Sequence, residues 1–196
     1  MPSAKQLLRA ERRARRREIA VARDLAADGE ALARVLAPLL ASLAIGPGDL
    51  VTAYEPIPGE PDVTAVCRAL TSRGARVLVP ITLPTFELDW ADLADPARAP
   101  LGLDAHAACR LLLVPGLAAD HTGARLGQAG GCYDRSLPYA DPGATVVVVL
   151  HPGEILPDPI PVDPWDRPVD AALTADGLTR LGPRRRPEGD DGGSGG

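Results

Sequence analysis

Five short aliphatic runs constrain the fold of this chain more than any other feature: Leu50–Tyr54, Arg76–Pro80, Arg110–Val114, Ala144–Leu150 and Ala171–Thr174. A strand with one wet face alternates apolar and polar residues, whereas these runs stay apolar at successive positions and therefore belong to strands covered on both faces. Between the first two lies Asp62–Arg73, opened by Pro61-Asp62 and stopped by Gly74, which predicts a helix and completes a β-α-β unit. The expected class is α/β: a single domain with a mainly parallel sheet flanked by helices on both faces. Two helices are expected ahead of it, over Leu7–Arg23 and over Glu30–Leu43, the second bent or interrupted at Pro38 and ended by Gly46-Pro47-Gly48. Phe86, Leu88 and Trp90 alternate as an edge or hairpin strand would, and Ala171–Thr174 is expected to be the last strand.

A length of 196 residues suits one domain, placed here at residues 1–182, followed by a charged, then Gly-rich stretch at 183–196 expected to be disordered. No run approaches the ~18 apolar residues of a membrane span, and the first segment is basic and amphipathic rather than signal-like, so no membrane partner and a cytoplasmic location are expected. Three cysteines without C-x-x-C spacing suggest reduced thiols rather than a disulfide framework or zinc site. His106, His121 and His151 lack metal-ligand spacing. Residues 9–18 hold six arginines, yet the net charge is −5 and aromatic residues make up only 3% of the chain. That balance favours a solvated helix over a nucleic-acid surface, leaving small molecules as the expected partners of an expected monomer.

Chemistry concentrates between Leu113 and Leu137. A buried strand closed by Pro115 opens into a segment with Gly123, Gly127, Gly130 and Gly131, whose backbone amides can turn inward around an anion. Arg125 and Arg135 bring positive charge, and Asp134 is a candidate magnesium ligand. At the other end of the chain, Lys5 and Arg9 stand at i and i+4, on one helix face. Lys5 is the only lysine in a chain that otherwise uses arginine throughout.

These segments carry a resemblance. The run VPGLAADHTGARLGQAGGCYDR at residues 114–135, the opening KQLLR at 5–9, YEPIPGEPD at 54–62, ELDW at 87–90, RAPLGLDA at 98–105, VVVVLHPGEIL at 146–156 and IPVDPWDRPVDAALT at 160–174 follow one another in the order seen in the 5-formyltetrahydrofolate cyclo-ligase family. The chain resembles that family over about residues 5 to 181. The resemblance implies a reaction in which ATP phosphorylates the formyl oxygen of 5-formyltetrahydrofolate. N10 then closes the ring to 5,10-methenyltetrahydrofolate, and ADP and phosphate are released. It further implies that Lys5, Arg9, Arg125 and the loop Gly127, Gln128, Ala129, Gly130 and Gly131 hold the triphosphate, and that Asp134 and Asp166 hold magnesium. Tyr133 would stand near the transferred group or the folate, with Arg125 and Tyr133 the catalytic pair and Glu60 and Trp90 lining the folate side.

Three positions depart from the family's usual loop: Gln128 stands where a basic residue is expected, Ala129 where a glycine is, and Cys132 where a tyrosine is. Ala129 would fit unchanged only with negative φ. Trp165 also replaces the first member of a His-Asp pair, and a stretch after ELDW is shorter than usual. A relative that binds nucleotide or folate without turnover is therefore the second reading.

Overall fold

The computed structural model describes residues 1–182; the tail expected over 183–196 lies outside the described residues. The chain opens with α1 (Ala4–Ala22), which is started by a capping box: the Ser3 hydroxyl accepts from the Gln6 amide while the Gln6 side chain accepts from the Ser3 amide. Next is α2 (Leu25–Ser42), capped by the Asp24 carboxylate and running unbroken through Pro38. One lost backbone bond there is outweighed by the burial of Leu32, Leu36 and Leu40 on a single face. The β-α-β unit follows as β1 (Leu50–Thr52), α3 (Thr64–Ser72) and β2 (Arg76–Thr82).

The main sheet is completed by β3 (Leu88–Asp92), β4 (Leu111–Pro115), β7 (Thr145–Val149), β9 (Ala171–Thr174) and β10 (Gly177–Arg180). Its spatial order is β10-β9-β7-β4-β1-β2-β3. The four inner pairings are parallel, while β10 and β3 pair antiparallel at the two edges. The single α/β domain with a mostly parallel sheet is thus as the aliphatic runs predict. Ala171–Thr174 is not the last strand, however, because Asp176-Gly177 turns the chain back into β10.

Alternate residues of the parallel strands feed two cores. Val51, Val77, Leu111, Leu113, Val147 and Val149 meet α2 and α3 on one face. On the other, Leu78, Leu112, Val114, Val146 and Val148 meet Trp90, Leu137 and Ala140. Among the described residues, helical cover on this second face comes from the short α4 (Cys132–Ser136) and a 3-10 turn (Leu137–Tyr139). A small second sheet, β6 (Arg125–Leu126), β5 (Ala118–Asp120) and β8 (Ile155–Leu156) in that order, stands beside it. Its strands are only two or three residues long, too short for a periodic signal in the sequence.

Candidate functional site

A groove of about 680 Å³ opens where β6, the glycine-rich loop and α4 meet the N-terminal turns of α1. The loop enters from the small sheet, so Arg125 and Leu126 are fixed by pairing with Ala119 and Ala118. Three successive residues then adopt positive φ: Ala129 at 114°, Gly130 at 90° and Gly131 at 66°. Gly130 and Gly131 adopt this backbone without strain, and space around the loop is tight. A Cβ on Gly127 would lie 3.2 Å from Arg125 Nη1, and one on Gly130 would lie 3.3 Å from the Phe86 ring. Ala129 has no such freedom, and the condition for its harmless presence, a negative φ, is not met.

α1 contributes a charged stripe instead of an apolar one. Lys5, Arg9, Arg13 and Arg16 recur at about one helical turn, on the face turned to the body of the protein. Lys5 Nζ donates to Asp163 Oδ2 at 2.8 Å and to Asp166 Oδ2. Arg9 Nε donates to the Gly127 carbonyl at 3.0 Å. Arg13 donates to both the carbonyl and the side-chain oxygen of Gln128. Arg16, buried, forms a two-pronged pair with buried Glu154 at 2.6 and 2.8 Å and also donates to the Gly116 carbonyl at 2.6 Å. Burial opposes the Lys5 ammonium, but the two aspartates outweigh it and hold its pKa above the ordinary lysine value, so it stays charged.

On the opposite side, Arg125 donates to the Pro115 carbonyl at 3.1 Å and to Asp134 Oδ1 at 3.0 Å, and its guanidinium lies 5.6 Å from the centre of the Tyr133 ring. Asp134 also accepts from the Arg167 amide at 3.3 Å. The Tyr133 hydroxyl is enclosed and has no partner among the described residues. Burial pushes its phenol well above the usual range despite the pull of Arg125, so the proton is retained for donation.

Lys5, Arg9, Arg125, residues 127–131, Tyr133, Asp134 and Asp166 all line this one groove, although Lys5 and Asp166 are separated by 161 positions. Two expected substrate residues do not line it. Trp90 is 1% exposed on β3, with its ring 4.6 Å from that of His106, because the strand's alternation turns it into the second core. Glu60 is also buried; it accepts from the Ile57 amide and, at 3.4 Å, from Gln128 Nε2, so it reaches the groove only through Gln128. The two expected metal residues share the groove, but no group of three His, Cys, Asp or Glu side chains that could hold a metal ion occurs among the described residues. Sequence reasoning missed Arg13, Arg16, Glu154 and Asp163. Only the helical spacing from Lys5 through Arg9 to Arg13 could have pointed to one of them.

Cys132 lines the groove without a histidine partner: His106 is bonded to Ser136, His151 to the Gly59 carbonyl, and His121 is exposed. No helix among the described residues is long and apolar enough to cross a membrane.

A family model described as the 5-formyltetrahydrofolate cyclo-ligase family matches residues 2–175. A 5-formyltetrahydrofolate cyclo-ligase of Mycolicibacterium smegmatis is 34% identical over 145 residues, which is 65% of this chain and 74% of the relative. A mitochondrial protein of the same name from Arabidopsis thaliana is 39% identical over 83 residues, 38% of this chain and 30% of that one. Among solved structures, a 5,10-methenyltetrahydrofolate synthetase from Mycoplasma pneumoniae superposes with a TM-score of 0.71 at 19% identity, covering 88% of this chain and 99% of the other. One from Aquifex aeolicus gives 0.70 at 23% identity, covering 97% and 99%. At these identities the structural likeness concerns the fold.

Proposed function

The chain belongs to the 5-formyltetrahydrofolate cyclo-ligase family, and from that premise we propose how its groove carries out the family's ATP-dependent closure of 5-formyltetrahydrofolate to 5,10-methenyltetrahydrofolate. The observation that carries the reading is the convergence of Lys5 and Arg9 from α1 on the glycine-rich loop, in one groove with a Tyr133 hydroxyl that has no hydrogen-bond partner among the described residues. Such a reaction needs no nucleophilic side chain. It needs two substrates held in line and the charge on the transferred phosphoryl group neutralised.

Lys5 meets the terminal phosphates, exchanging its aspartates for phosphate oxygens, while Arg9 and the amides of residues 127–131 hold the rest of the chain of phosphates. Arg125, already paired with Asp134 and set beside Tyr133, acts as a positioning residue for both. Tyr133 donates a hydrogen bond towards the oxygen that carries the developing charge. ADP and phosphate leave after N10 closes the ring.

Asp134, Asp163 and Asp166 supply hard oxygen donors on the groove walls. They fit a magnesium ion that binds through one or two carboxylates and completes its shell with phosphates and water, which requires no preformed cluster of three. When bound, that ion would neutralise phosphate charge. A cytoplasmic monomer acting on small molecules, not on nucleic acid, completes the proposal; three free cysteines accord with a reducing compartment.

The test is turnover. Purified protein mixed with 5-formyltetrahydrofolate, magnesium and ATP is expected to develop the near-ultraviolet absorbance of the methenyl product. Lys5→Ala should lower kcat/KM by about 10- to 150-fold, the loss of a hydrogen bond to a charged group. An inactive wild type that gains activity on Gln128→Arg with Ala129→Gly would instead identify a relative impaired at its loop.

A further inference from the structure

A planar trans peptide directs its N–H opposite to its C=O, so whatever holds one also aims the other. Three carbonyls of the glycine-rich loop are held by arginines: that of Gly127 accepts from Arg9 Nε at 3.0 Å, that of Gln128 from Arg13 Nη2, and that of Gly130 from Arg135 Nη1. The amides of residues 128, 129 and 131 belong to the same three peptide units and point away from those arginines. None of the three donates to a backbone carbonyl among the described residues, and amides so arranged can take an anion. Arg9 and Arg135 line the groove, whereas Arg13 is exposed, stands outside the groove wall and reaches it through Gln128. It grips that residue twice, by the carbonyl and, at 3.3 Å, by the side-chain Oε1, whose amide nitrogen stands 3.4 Å from Glu60 Oε1. The peptide unit it holds leads straight into Ala129, whose φ of 114° persists in a non-glycine residue only with support from its surroundings.

We propose that Arg13 is a positioning residue of the phosphate site, which orients the peptide between Gln128 and Ala129 and delivers to position 128, from α1, the positive charge that the loop itself lacks there. The inference rests on the proposed function through its placement of the triphosphate on this loop. Two departures from the expected loop, a glutamine for a basic residue and an alanine for a glycine, meet at the one peptide unit that Arg13 holds. Gln128 also suits this partner: its side chain offers a guanidinium an acceptor oxygen, whereas an arginine side chain has none and would repel it. A guanidinium at position 13 beside a glutamine at 128, and an arginine at 128 itself, are thus alternative ways of charging the same point of the loop.

Calorimetry with magnesium-ATP and with magnesium-tripolyphosphate, which carries phosphates without a base, provides the test. Arg13→Ala should weaken both ligands by the same factor, about 10-fold, the loss of bonds from a charged donor. Because the side chain is exposed, Tm should change little. In steady-state assays the loss should fall on the KM for ATP, with the KM for 5-formyltetrahydrofolate unchanged. Arg13→Lys should recover part of it. Arg13→Ala combined with Gln128→Arg should recover most of it, whereas Gln128→Arg alone should add little, since the two charges serve one task and their effects do not add. Equal affinity of wild type and Arg13→Ala for magnesium-ATP, a loss confined to the ligand that carries a base, or a loss that Gln128→Arg leaves uncorrected would each overturn the role of Arg13 while leaving the proposed function standing. No uptake of magnesium-ATP by the wild type would overturn both.

Discussion

At residue 129 the backbone has a φ of 114° with a methyl group attached, between a glutamine and two glycines. A side chain in that region costs on the order of 1–2 kcal/mol, partly offset by the extra freedom glycine has in the unfolded chain. Ala129→Gly is therefore expected to stabilise the protein by about 1 kcal/mol, raising Tm by about 2–4 °C for a chain of this size, as thermal unfolding will show. The neighbouring Gln128 illustrates what a sequence can and cannot disclose. That position 128 lacks the expected positive charge is evident from its letter alone. That Arg13, 115 positions earlier, leans on Gln128 is not, since nothing local couples the two. Trp90 shows the reverse: its alternation with Leu88 announced a strand, but which side of β3 met the core depended on pairing with β2.

The strands and helices were legible because the parallel core leaves long apolar runs and clear stops. The docking of α1 was not, because its buried face is charged and has no hydrophobic period to find. Among the described residues, its main apolar attachments are Ile19, the stems of Lys5 and Arg16, and the partly buried Leu8. The Arg16–Glu154 pair is its main fixed point. Removing one partner, as in Glu154→Ala, strands a buried charge and should cost about 3–5 kcal/mol. Replacing both with methionine should cost far less. Urea titration of the single and double variants will check this, and the single variant should also lose turnover, because Lys5 and Arg9 ride on the same helix.

For the molecule as a whole, acid sensitivity follows from groups in its interior. Burial lowers the pKa of His106 below its ordinary 6.5, ahead of the raising effect of the Ser136 carbonyl. The unfolded chain therefore binds the proton more readily, so the contribution of neutral His106 is complete above pH 6.5 and is lost as pH falls from there through the lowered value. Tm should begin to drop below pH 6.5, and His106→Gln should flatten that limb. A second decline belongs to Asp120. Burial opposes its charge, but donors from Thr122, Ile160 and Ala124 overcome this and hold its pKa below 3.8, so its contribution disappears only in stronger acid.

The partners of α1 lie between 100 and 161 residues further along the chain. α1 is consequently synthesised well before the residues that moor it, and a nascent polypeptide that has not reached Asp163 offers Lys5 neither of its anchors. Because the waiting face is charged, water accommodates it in the interval, and the exposed segment presents little greasy surface to which other unfinished chains can adhere.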